Sequence, residues 1–148
     1  MIYEMYVDGA CRGNGKADAV GGWGVYIPNR DGGSDVELFG GEVGTTNNRM
    51  ELKAAIEGIG YAKANSLENI DIYTDSNYVK QGITDWIKGW KRRNCAKVKN
   101  RDLWEVLDKL NEAVKPNWHW VRGHDVNEGN IKADQLANCG CDVAGADK

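Results

Sequence analysis

The 148-residue sequence has two prolines, two histidines, no Cys-x-x-Cys pair and no apolar run near the ~18 residues a membrane-spanning helix needs. Each shortage excludes something. Without a long apolar run no helical span is expected. Glu4 and Asp8 stand where a secretion signal would be basic and then apolar, so the chain reads as soluble and cytoplasmic. Cys11, Cys95, Cys139 and Cys141 are scattered, and the Cys-Gly-Cys at 139–141 has no second pair to complete a zinc site; free thiols are expected. Pro28 and Pro116 sit at element boundaries, with no Pro-rich linker, repeat or low-complexity tract between them. One domain over residues 1–148 is therefore expected, long enough to bury about 70% of its unfolded surface.

Positive charge is also scarce overall, and the net charge is −3. It is not spread evenly. "KGWKRRNCAKVKNR", residues 88–101, holds seven of the 19 basic residues and no acidic one, so the rest of the chain carries −10. Trp86, Trp90 and Trp104 interleave or flank this run. Either the run is solvated surface, or it grips phosphates while the rings pack on sugars or bases. Screening over ~8–10 Å keeps the acidic remainder from cancelling it.

Glycine-rich stretches punctuate the chain. Residues 2–8 alternate as a strand, "GGWGVYIPN" from Gly21 reads as a second, "RDGGSD" as a turn and "VELFGGEV" as a third. Three strands with no helix between them predict an antiparallel meander. Leu52, Ala55, Ile56, Ile59 and Ala62 then recur at helical spacing, followed by a strand at 69–74. Helical pieces near 76–88 lead into the basic segment. Leu103, Val106, Leu107, Leu110 and Val114 mark another amphipathic helix, "NWHWV" a fifth strand, and a last helix falls within about 128–142. The expected fold is α/β: a mixed five-stranded sheet, an antiparallel meander plus parallel strands, flanked by helices.

Two strands are expected to deliver carboxylates to one end of this sheet, where ligands bind in such folds. "IYEMYVDG" runs to Asp8 and "IDIYTDSNYV" to Asp75. Asp75 also reads as a helix cap, beside Ser76 and Asn77. Glu51 in "TTNNRMEL" has a competing role three residues after Asn48, in the pattern of a capping box. Asp134 in "NIKADQLA" lies in a helix with Ile131 and Ala137 a turn either side; a surface aspartate is the alternative.

Taken together, "VDGACRGN", "TTNNRMEL", "TDSNYVKQGI", the tryptophan-flanked basic segment and "WVRGHDVNEGNIKADQLA" resemble type 1 ribonuclease H, in the same order and over nearly the whole chain. The resemblance implies the RNase H-like fold and an endonuclease that hydrolyses the RNA strand of RNA/DNA hybrids, leaving 5′-phosphate and 3′-hydroxyl ends with little sequence preference. It implies that Asp8, Glu51, Asp75 and Asp134 bind metal, with His124 as a loop histidine that moves protons or helps eject product. It further implies that Cys11, Asn14, Asn47, Asn48 and Asn77 lie along the hybrid's minor groove and Thr46 against the DNA backbone. Trp86, Trp90, Lys91, Arg92 and Arg93 would belong to a substrate-binding protrusion, and the chain would act as a monomer. Three departures stand out. The basic segment is several residues shorter than in the well-known bacterial form, Asn77 replaces a frequent Gln, and Ile131 follows Asn130 where an acid is common.

Clustered carboxylates repel: at ~4 Å and an effective dielectric near 20, each like-charge pair costs about 4 kcal/mol. Hard oxygen ligands without His or Cys select Mg²⁺, for which Mn²⁺ can substitute, and two such ions would sit either side of a scissile phosphate. Short amides such as Asn14, Asn47 and Asn48 suit a shallow minor groove that displays 2′-hydroxyls. A catalytically silent hybrid- or duplex-RNA-binding module and a DNA-cutting relative of the same fold are the competing readings. The four acids count against the first, and the Asn-rich "TTNNRMEL" and the compact chain against the second.

Overall fold

A computed structural model describes residues 2–29, 33–93, 98–121 and 128–146. Five strands, β1 (Tyr3–Arg12), β2 (Val20–Ile27), β3 (Val36–Val43), β4 (Ile70–Thr74) and β5 (Asn117–Trp120), form one sheet in the order β3-β2-β1-β4-β5. β1, β2 and β3 pair antiparallel, whereas β4 and β5 extend the sheet in parallel with β1. The expected meander with parallel additions is what forms.

Alternation along the strands splits the sheet into two different faces. Met5, Val7, Val25, Ile27 and Ile72 point to α1 (Asn47–Ala64), whose Leu52, Ala55 and Ile59 complete the main core with α4 (Arg101–Val114) behind it. The opposite face of β2 carries Gly22 and Gly24, and there α5 (Glu128–Ala146) lies against the strand: a Cβ on Gly22 would stand 2.0 Å from the Ala137 carbonyl oxygen. Glycine is required here for close approach rather than for backbone freedom.

Two boundaries differ from expectation for reasons of packing. α5 extends past 142 to Ala146 because Cys141 and Ala144 are buried against Val20 and Ala10. The helical stretch after β4 breaks into α2 (Asn77–Gln81), a π-helical turn (Gly82–Trp86) and α3 (Ile87–Arg93). The wide turn coincides with the point where Gly82 faces the Trp104 ring, so closely that an added Cβ would lie 2.1 Å from it. Trp104 itself is 1% exposed and belongs to the core, so it cannot stack on nucleic acid as its place beside the basic run suggested.

Candidate metal and nucleic-acid site

β1 does not stop at Asp8. It pairs with β2 as far as Arg12↔Val20, but with β4 only as far as Val7↔Thr74. Past Val7 the β4-side edge of β1 therefore has no partner strand among the described residues. Gly9 turns its amide there, donating to Asp8 Oδ1 at 2.9 Å and to Glu51 Oε1. α1 presses on the same point, since a Cβ on Gly9 would lie 2.4 Å from the Glu51 nitrogen. Gly9→Ala should consequently cost about 1–3 kcal/mol of stability by overpacking and displace Glu51. Denaturant unfolding together with an activity assay checks this: an unchanged midpoint with full activity would show that α1 can move away freely.

Glu51 is not part of a capping box. Thr46 caps α1, its hydroxyl accepting from the Arg49 amide at 3.2 Å, which places Glu51 too far into the helix for that role. Asp75 is not the cap of α2 either; Ser76 is, accepting from the Val79 amide at 3.2 Å. Both carboxylates are thus released from the local roles that could have explained them. Trp120 holds the backbone at Asp75, its indole N–H donating to the Asp75 carbonyl oxygen at 3.1 Å.

Asp8, Glu51 and Asp75 each bring a carboxylate oxygen to within 4.8 Å of the others. Asp8 is 4% and Glu51 5% exposed. Burial, then the charges of Glu51 and Asp75, push the Asp8 carboxyl far above its usual range. Burial and Asp75 also raise Glu51, against the hydrogen bonds it receives from Asp8 and the Gly9 amide. Without a cation, therefore, burial and mutual repulsion favour the protonated forms of Asp8 and Glu51. The donor set contains only carboxylate oxygens, and a hard divalent cation fits it because such a charge replaces those protons.

Around the cluster lies a cleft of about 400 Å³, bounded also by Asn47, Asn48, Ser76, Asn77, Tyr78 and Asp134. Asp134 reaches the cleft from α5 and is exposed, outside the tight group of three. Four converging carboxylates were expected; three converge and the fourth stands on the wall. Asn14 braces α1, its Oδ1 accepting from the Asn47 amide at 2.9 Å, and the Cys11 thiol lies 3.7 Å from the Thr45 carbonyl oxygen. Cys11, Cys139 and Cys141 are free thiols. Tyr78 was missed as a cleft residue; its only signal was its place directly after Asn77.

The protrusion residues separate. Trp86 is 40% exposed, while Trp90 is half-buried with its ring 5.3 Å from that of Trp104. Lys91 is held by Asp108 at 3.0 Å and Glu112 at 2.7 Å, contacts that raise its own pKa. Its charge is thereby largely matched within the fold. His124, Cys95 and the side chains of Arg92 and Arg93 lie outside the described residues.

A sequence model of the RNase H family matches residues 2–142. The chain belongs to the ribonuclease H family. It is 50% identical over 141 residues to a ribonuclease H of Cupriavidus metallidurans, covering 92% of each chain, and 47% identical over 145 residues to one of Ralstonia nicotianae, covering 95% of this chain and 91% of that one. In three dimensions it is similar to LC9-RNase H1, a type 1 RNase H with the type 2 active-site motif. The TM-score is 0.85 at 29% identity, over 97% of this chain and 73% of that one. The mixed sheet with α1 and α5 on its two faces is thus the RNase H fold. Among the described residues, no helix is long and apolar enough to cross a membrane.

Proposed function

We propose that this ribonuclease H cuts the RNA strand of RNA/DNA hybrids at the acidic cleft, with Asp8, Glu51 and Asp75 as the inner metal ligands and Asp134 joining from the cleft wall. The observation that carries the proposal is the three-carboxylate group at the open edge of β1, with Asp8 and Glu51 buried and Asp75 half-buried. Mg²⁺ is the proposed ion, replaceable by Mn²⁺. Two ions, when bound, would supply the positive charge that acidifies the attacking water and stabilises the departing 3′-oxygen, so that 5′-phosphate and 3′-hydroxyl ends result.

The remaining roles fall to the chain itself. Glu51, buried and bonded to the Gly9 amide, holds its orientation without help from substrate. Asn47, Asn48 and Asn77 line the cleft and offer amide donors and acceptors to minor-groove 2′-hydroxyls. Asn14 acts on the groove mainly by holding the Asn47 amide, and Thr46 serves the DNA-backbone side by fixing the start of α1. Cys11, at the margin of the same surface, and His124, in the segment before α5, keep the groove-contact and proton-handling roles suggested by the family. The free thiols suit a reducing cytoplasm, and the chain is proposed to act as a monomer.

Incubation with labelled RNA/DNA hybrid, duplex DNA and duplex RNA in Mg²⁺ tests the reading. Cleavage confined to the RNA of the hybrid is expected; equal cutting of duplex DNA, or tight binding without cutting, would favour one of the competing readings. The basic segment gives a separate expectation. Arg92→Ala with Arg93→Ala should weaken hybrid binding and reduce the slope of log K against log salt by about 0.7–0.9 for each phosphate no longer neutralised. Lys91→Ala should change the slope little, because Asp108 and Glu112 already hold that ammonium. A much shallower slope on removing Lys91 alone would show that substrate displaces those acids.

A further inference from the structure

A row of four rings crosses the sheet one step below the acids, and the roles above leave it unused. Alternation along β1 turns Tyr6 to the same face as Asp8, opposite Met5 and Val7 of the main core. Its register partners are Tyr26 on β2 and Tyr73 on β4, and Tyr73 is paired in turn with His119 on β5. Tyr6 stacks on Tyr73, centroids 5.0 Å apart and planes 17° from parallel, and Tyr73 stacks on His119 at 4.9 Å and 18°. Polar bonds pin the row. The Tyr26 hydroxyl donates to Asp35 at 2.7 Å, the Tyr6 hydroxyl donates to Glu4 at 3.0 Å, and His119 Nε2 lies 3.2 Å from Asp71 Oδ1.

The start of α5 rests on this row at one point. Gly129, the second residue of the helix, lies so close to the Tyr6 ring that an added Cβ would stand 2.4 Å from its carbons, and Tyr6 is only 8% exposed. A second seat follows one turn later. A Cβ on Gly24 would lie 2.4 Å from the carbonyl oxygen of Ala133, which is fully buried. One contact fixes the height of a rigid helix above a sheet, whereas two also fix its tilt. Asp134 directly follows the second seat and lies five residues, about 7.5 Å of helix axis, beyond the first.

We propose that Tyr6 is a positioning residue for the metal site. Its ring sets the height and tilt of the first turns of α5, and thereby the distance of the Asp134 carboxylate from Asp8, Glu51 and Asp75. This rests on the cleft being a metal site. The same row holds β1 two residues before Asp8 and β4 two residues before Asp75, so the helix-borne acid is set against the strands that carry its partners.

Tyr6→Leu removes the ring from under Gly129, and Gly129→Ala forces a methyl group into it, so the two variants disturb the seat from opposite sides. Each is expected to raise the Mg²⁺ concentration for half-maximal hybrid cleavage about 10-fold, the scale on which a group supporting a metal ligand acts. The Mg²⁺ dependence of Tm, measured without hybrid, should move to higher concentration by the same factor. Tyr6→Phe, which keeps the ring and loses only the bond to Glu4, should leave both within about two-fold. In an Asp134→Asn background neither Tyr6→Leu nor Gly129→Ala should shift the Mg²⁺ dependence further, because the effect passes through that carboxylate. Leu107→Ala, which opens the core on the opposite face of the sheet, is the control: Tm falls and the Mg²⁺ dependence stays. Tyr6→Leu and Gly129→Ala proteins that lose stability in chelator but keep the Mg²⁺ dependence, or whose shifts persist in full without Asp134, overturn the proposal. If the Mg²⁺ dependence of Tm shifts as expected but the unaltered protein fails to cut hybrid, the positioning role stands and the hybrid assignment of the cleft falls.

Discussion

Asp8→Asn and Asp75→Asn each lower kcat on an RNA/DNA hybrid by about three orders of magnitude or more, the scale of removing a pre-organised charge from a reacting centre, while hybrid affinity stays the same or tightens. The two halves of this expectation have different causes. The amide keeps the shape of the side chain and the packing around Gly9, but it takes one of three carboxylates from the group that would hold the divalent ions. It also removes a negative charge from a cleft into which a phosphate must descend, so the ground-state complex is relieved. Single-turnover cleavage paired with equilibrium binding at the same Mg²⁺ concentration separates the halves. Turnover retained in either variant would take that residue out of the mechanism.

Stability in the presence of a chelator falls as pH rises from about 5 to 8, and saturating Mg²⁺ abolishes the fall. Asp8 and Glu51 have ordinary values of 3.8 and 4.5, and the fold raises both, chiefly by burial. A group raised in the folded state stabilises it fully below its unfolded value. That contribution is lost as pH climbs toward the folded value, because the unfolded chain gives up its proton first. The slope approaches about 1.4 kcal/mol per pH unit for each such proton, or roughly 3 °C of Tm per kcal/mol in a chain of this size. Bound cation reverses the preference, since the ligands must be deprotonated to hold it. Melting curves at pH 5, 6, 7 and 8, with chelator and with Mg²⁺, give the test. Asp8→Asn should flatten the chelator series and raise Tm at pH 8. A chelated protein whose Tm is independent of pH would mean that the cluster is more hydrated than its burial indicates.

These expectations draw on geometry that the sequence showed only in part. The meander was legible because three strand-like stretches, separated by glycine-rich turns, follow one another with no helix between them, whereas α1 and α4 repeat at helical spacing. The acids were legible as candidates, yet Glu51, Asp75 and Asp134 each had a local explanation that sequence could not remove. Asp75 stood next to Ser76, and either can cap a helix; Glu51 stood three residues from Asn48. Only the backbone shows that Ser76 and Thr46 take the capping bonds, leaving the carboxylates for the cleft. The basic run misled in a different way, because charge and aromatic content are one-dimensional properties. Lys91 turns into acids of α4 some twenty residues on, and Trp104 goes into the core beneath Gly82.

The sequence by itself determined the main element types and the family and named the candidate acids, since periodicity and motif order are properties of neighbours along the chain. Tertiary structure decided which acids meet. β4 ends level with Val7 while β1 runs on to Arg12, and that mismatch opens an edge where Glu51 binds the Gly9 amide and Asp8 and Asp75 converge, with Asp134 left on the wall. Proximity of this kind depends on where strands stop relative to one another and on how closely a helix can approach a glycine. Both are set by packing between segments more than forty residues apart.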